Sequence, residues 1–152
     1  MAADADLDLV IAGATVLDGS GGPPRRADVG IAADRIASVG EVGEVGAASA
    51  ARVIDADGLA VAPGFIDVHT HDDFAAVLHP DMAFKVCGGV TTCVVGNCGM
   101  GAAPFEPAAL LATAFHPHDE LPHWDGYAGY LDHLDSNPPS VNVAVLVGHG
   151  TV

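Results

Sequence analysis

Positive charge is what this sequence has least of. Five Lys and Arg residues stand against twenty Asp and Glu in 152 residues, a formal net charge of −15. Such a chain offers no electrostatic footprint for nucleic acid or an anionic membrane surface, so neither is expected as a partner. Its three cysteines are an odd number without framework spacing. That excludes a disulfide scaffold and points to thiol or metal chemistry in a reducing, cytoplasmic setting. No basic stretch precedes an apolar one in residues 1–6, so no signal peptide is expected, and no apolar run is long enough to span a bilayer. No internal repeat is evident. Half the residues are nevertheless hydrophobic, enough to bury a core.

The texture of the chain changes near residue 60. Residues 1–60 read as a small N-terminal β domain, an incomplete sheet or sandwich in need of strands from elsewhere. In it, residues 9–11 and 15–17 flank a turn at Ala12-Gly13-Ala14. Residues 28–31 and 35–39 form a hairpin around Ala33-Asp34, residues 41–51 are a surface excursion, and residues 52–55 are another short strand. Residues 61–152 alternate strand and helix, which argues an α/β class with a parallel sheet. Strands are expected at 64–68, 90–95 and 141–147, with a short helix over 81–87 closed by Gly88-Gly89. Residues 102–122 read as a proline-rich insertion. Asp125 then caps a helix carrying Tyr127, Tyr130, Leu131 and Leu134 on one face. This is the start of a (β/α)8 TIM-type barrel, about three strands of it, truncated. Its open edge offers a route to self-association.

The chemistry gathers at strand ends, where such barrels place their sites. His69 and His71, one residue apart after an apolar run, project to the same side of a strand. Imidazole and thiolate are the donors zinc prefers. The two are candidate metal ligands, against the plainer reading of histidines satisfied by hydrogen bonds. Asp67 shares their face; it either orients an imidazole or satisfies buried backbone groups. Asp72 and Asp73 follow the pair directly and are candidates to support it. Cys98 lies in Gly96-Asn97-Cys98-Gly99, where flanking glycines leave a thiol unshielded, and it is the third candidate ligand. Cys87 and Cys93 read as core. Asn97 either bonds substrate or favours the turn. His149 follows the third strand on the same rim, as a pocket residue or a partner of a loop carbonyl. His116, His118 and His123 sit among prolines and read as a solvated loop.

Three stretches carry a family resemblance: Pro-Gly-Phe-Ile-Asp-Val-His-Thr-His-Asp-Asp from Pro63, Gly-Val-Thr-Thr-Cys-Val-Val-Gly-Asn-Cys-Gly from Gly89, and Val-Asn-Val-Ala-Val-Leu-Val-Gly-His-Gly-Thr from Val141. Together they resemble the N-terminal third of the N-acyl-D-amino-acid deacylases, the D-aminoacylases of the metal-dependent amidohydrolase superfamily. The His-x-His motif is shared with hydantoinases and dihydroorotases. Gly-Asn-Cys-Gly is more specific, because hydantoinases bridge their metals with a carboxylated lysine where D-aminoacylases offer a cysteine. The resemblance implies one or two Zn2+ per full-length subunit, with His69 and His71 on the more exposed ion and Cys98 bridging or holding the tighter one. It implies a small-molecule substrate, an N-acyl-D-amino acid, hydrolysed to D-amino acid and carboxylate by metal-activated water and a carboxylate base. In the family pattern that base and two further histidines fall beyond Val152. No catalytic base is therefore identified, and the isolated chain is expected to be inactive. Two alternatives remain: a cyclic amidohydrolase of the hydantoinase or dihydroorotase type, and a non-catalytic remnant.

Overall fold

A computed structural model describes residues 7–46, 50–117 and 120–152. The chain divides into two units between Pro63 and Gly64. In the first, β1 (Leu9–Val16) is the central strand of a five-stranded sheet. It pairs antiparallel with β2 (Arg25–Ala32) and parallel with β4 (Arg52–Asp55) and β5 (Ala60–Val61). β3 (Arg35–Gly40) extends the sheet beyond β2 through the expected hairpin. The turn expected at Ala12-Gly13-Ala14 does not form. β1 instead runs through it as a bulge, its register shifting between Ile11 and Ala14. The cause is Asp28, which is 1% exposed and accepts the Gly13 N–H at 2.7 Å. The other Asp28 oxygen accepts the Gly43 N–H at 2.7 Å, so one buried carboxylate satisfies two irregular backbone segments. Val10, Ala14, Val16, Ala27 and Val29 are buried along these strands. Of the expected excursion at 41–51, residues 47–49 lie outside the described residues.

In the second unit, β6 (Phe65–Asp67), β7 (Val90–Val95) and β8 (Asn142–Val145) form a parallel sheet with β7 in the middle. Its helices are α1 (Ala75–Leu78), α2 (Ala83–Val86), α3 (Phe105–Ala112) and α4 (Gly126–Ser136). Met82, Cys93, Val95, Trp124, Tyr130, Leu134 and Val141 belong to one buried cluster. The class is α/β, as the alternating pattern predicts. Among the described residues, no helix is long and apolar enough to cross a membrane.

Three expectations about this unit need correction. The proline-rich insertion contains α3, whose prolines fall where a helix tolerates them. Pro104 is the N-cap and Pro107 sits in the first turn, where N–H groups have no intrahelical acceptor. Asp125 stands at the N-cap of α4 but makes no side-chain capping bond. Cys87 is exposed rather than packed, whereas Cys93 is fully buried.

The periodic face of α4 buries Tyr130 and Leu134 and leaves Leu131 outside. Tyr130 is fully buried and donates its hydroxyl to the Asp73 carbonyl at 2.7 Å, tying α4 to the segment after the histidine pair. Burial pushes the phenol far above its ordinary pKa, so it stays a donor. Tyr130→Phe should leave that buried carbonyl unpaired and cost about 1–3 kcal/mol in a urea unfolding curve. An unchanged midpoint would show that the bond adds nothing.

Candidate metal centre

Parallel pairing puts the C-terminal ends of β6 and β7 on the same edge of the sheet. β6 ends at Asp67, and the chain continues through Val68 to His71. β7 ends at Val95 and passes into the 3-10 turn Asn97–Gly99. There one ligand atom each from His69, His71 and Cys98 falls within 4.8 Å of the others. It is the one such group of three among the described residues. His69 Nε2 lies 3.1 Å from Cys98 Sγ, and the two imidazoles meet edge to face with centroids 5.7 Å apart. His71 Nδ1 is buried without a hydrogen-bond partner.

The turn that presents the thiol is held under backbone strain. Cys98 adopts φ 55°, ψ 23°, the left-handed region that few side chains tolerate. Such strain persists where surrounding contacts over-determine it. Here Asn97 Nδ2 donates to the Val94 carbonyl at 2.7 Å and to the Thr70 carbonyl at 3.3 Å. Asn97 thus staples the cysteine turn to the histidine loop. Gly96, at φ 83°, has a second constraint: a Cβ there would come 2.2 Å from the Leu146 carbonyl oxygen.

Behind the histidines lies a polar cluster. Lys85 Nζ sits 2.7 Å from Asp67 Oδ2, 2.8 Å from Asp72 Oδ2 and 3.1 Å from Thr70 Oγ1. The Thr70 hydroxyl donates to Asp72 at 2.5 Å, and Asp67 Oδ1 accepts the His69 N–H at 3.2 Å. Asp67 therefore bonds a backbone group and an ammonium rather than an imidazole. The Lys85 bond, aided by the His69 N–H, holds the Asp67 carboxyl below its usual range. Burial works to lower the Lys85 pKa, but its bonds to the two carboxylates outweigh it and the ammonium titrates above an ordinary lysine. Asp73 is buried, and loss of hydration pushes its carboxyl up to about 6, against the pull of the Gly96 N–H. Sequence reasoning passed over Lys85. The signal was present: it is the sole lysine, and the only Lys or Arg after Arg52.

The other candidates stay outside the three-residue group. His149 is exposed, on a loop whose Gly150 N–H bonds the Gly99 carbonyl at 2.7 Å. His123 packs its ring on Phe105 at 4.6 Å, His116 lies 6.2 Å from the His79 ring, and His118 is outside the described residues. Beside His71 an open, mostly apolar pocket is lined by Asp73, Phe74, Met100, Leu111, Ala112 and Phe115. Half of that lining comes from α3 and the turn after it.

The three donors suit a metal ion of zinc's character. Zinc favours nitrogen and sulfur, with bonds of about 2.0–2.3 Å. The 3.1 Å between His69 Nε2 and Cys98 Sγ is close to the roughly 3.5 Å that two ligands of one tetrahedral ion span. His71, one of the three donor residues, also carries a buried ring nitrogen, Nδ1, in want of a partner.

Comparison with known proteins adds an independent line. Residues 52–152 match the Amidohydrolase family. An N-acyl-D-glutamate deacylase of Alcaligenes xylosoxydans xylosoxydans is 47% identical over 146 residues, covering 96% of this chain and 29% of that protein. A D-aminoacylase structure concerned with its binuclear metal centre superposes with a TM-score of 0.79 at 44% identity, over 95% of this chain and 30% of that one. An N-acyl-D-glutamate deacylase from Bordetella bronchiseptica, complexed with zinc and a phosphonate mimic of the tetrahedral intermediate, gives 0.79 at 42% identity, over 97% and 30%. The chain thus spans about 30% of the length of these relatives.

Proposed function

This chain belongs to the Amidohydrolase family, and from that premise we propose that it serves zinc-dependent hydrolysis of the linear amide of N-acyl-D-amino acids. β6, β7 and β8 are the opening strands of a (β/α) barrel, the fold of its D-aminoacylase relatives. The observation that carries the reading is the convergence of one thiol and two imidazoles at the C-terminal edge of that sheet. His69, His71 and Cys98 would hold the zinc. When bound, the metal supplies Lewis acidity toward an amide carbonyl and a nucleophile at neutral pH.

The remaining work falls to the chain's own groups. The Lys85 cluster and the Asn97 staple fix the two loops, so the donors do not reorganise as substrate arrives. The open, mostly apolar pocket beside His71 offers a surface against which an apolar portion of the substrate can pack. The proton-transferring carboxylate of the reaction is not among the three donors. By the resemblance, it belongs to a part of the relatives' length that this chain does not span.

Metal analysis paired with turnover tests this reading. The purified chain should retain at least one zinc after dialysis, lose it to a chelator and regain it. The full-length polypeptide carrying these residues should cleave N-acyl-D-amino acids in preference to their L enantiomers and to cyclic diamides. A chain that retains no zinc would sink the reading, as would turnover confined to cyclic diamides.

A further inference from the structure

A protein this poor in cations spends its only lysine in an unusual place. Lys85 is 16% exposed, whereas a lysine ordinarily keeps its ammonium in water. Its three N–H donors meet three acceptors: Asp67, Asp72 and Thr70. Asp67 lies two residues before His69, and Asp72 directly follows His71. The ammonium therefore grips the histidine segment at both ends. The helix that carries it starts from Met82, fully buried and in the left-handed region at φ 45°, so Lys85 is aimed by an anchored backbone.

Two carboxylates within 2.8 Å of one nitrogen lose their common counter-charge if that nitrogen is removed. Beside a cation pocket, each would then turn to the nearest other positive charge. Carboxylate oxygen suits magnesium, calcium and manganese, whereas imidazole and thiolate suit zinc. We propose that Lys85 is a positioning residue for the metal centre: it holds Asp67 and Asp72 off the donor pocket, keeping the centre a nitrogen–sulfur site selective for zinc over harder cations. This rests on the reading that His69, His71 and Cys98 hold the metal.

Lys85→Met, Lys85→Arg and Lys85→Met combined with Asp67→Asn and Asp72→Asn separate the possibilities. Zinc and manganese affinities are measured on the full chain by competition titration, and cobalt(II) is used as a spectroscopic probe. Lys85→Met should weaken zinc binding about 10–100-fold, the range for losing a group that orients ligands. It should also narrow the zinc-to-manganese ratio. Its cobalt spectrum should lose visible intensity as oxygen ligands raise the coordination number. Lys85→Arg should restore most of the preference. In the triple variant neither residue 67 nor residue 72 carries a charge that could draw it into the donor pocket, so selectivity and spectrum should return toward wild type. The triple variant also serves if Lys85→Met alone does not fold. A folded Lys85→Met with wild-type affinities and spectrum would overturn the inference alone. So would a triple variant that stays unselective. Failure of the wild-type chain to bind zinc would instead overturn the underlying assignment of ligands, and this inference with it.

Discussion

Replacing Cys98 with alanine is expected to weaken zinc binding by more than about 100-fold while leaving the metal-free fold intact. The magnitude follows from rank: groups that merely orient a ligand cost about 10–100-fold when removed, and a ligand costs more. The intact fold follows from exposure. Cys98 is solvent-exposed rather than part of a buried cluster, so truncation opens no core cavity. Its φ of 55° is as costly for alanine as for cysteine. Cys98→Gly takes the comparison further. Glycine adopts the left-handed region without penalty, so the metal-free chain should gain about 1 kcal/mol even as zinc affinity collapses. Opposite signs in stability and affinity would identify the strain as stored for the metal. The measurements are a chelator competition for zinc and a urea curve on the metal-free chain. Wild-type zinc affinity in Cys98→Ala would remove the thiol from the site.

What the sequence made legible follows from which signals are local. The His-x-His spacing just after an apolar strand and the Gly-Asn-Cys-Gly turn are short patterns, and the fold brings both to one sheet edge. Val90–Val95 was readable because it is rich in β-branched residues, as suits the middle strand of a sheet. The misreadings arose where a distant residue decides local structure. Gly13 carries a turn signal, but Asp28, fifteen residues away, captures its N–H and keeps the strand running. Pro104 and Pro107 read as breakers until the helix start between them is located. Lys85 stands out in the sequence as the sole lysine, but its role was hidden for the same reason. A lone lysine says nothing about its partners, and only the tertiary fold shows that they lie on either side of the histidines.

Gly96→Ala should be among the most damaging single methyls in the second unit, costing more than about 3 kcal/mol. Two penalties combine there. At φ 83° an alanine pays about 1–2 kcal/mol for the left-handed backbone. Its Cβ would also lie 2.2 Å from the Leu146 carbonyl oxygen and 2.9 Å from the carbonyl carbon. Both obstacles are backbone, and neither can swing aside like a side chain. Leu146 cannot retreat cheaply either, because its N–H bonds the Val95 carbonyl at 3.0 Å, the residue immediately before Gly96. Relief must therefore come from opening the β7–β8 edge or displacing the turn that carries Asn97 and Cys98, so zinc affinity should fall together with stability. Gly126 supplies the control in the same unit. It has φ 62° and nothing within 4 Å of an added Cβ, so Gly126→Ala should show the backbone penalty alone and leave metal binding unchanged. The excess loss at Gly96, read from urea curves of the two variants, measures the collision with Leu146. Equal losses would mean that the strand edge yields easily, and that close approach of β8 to the turn is not what holds Cys98 in place.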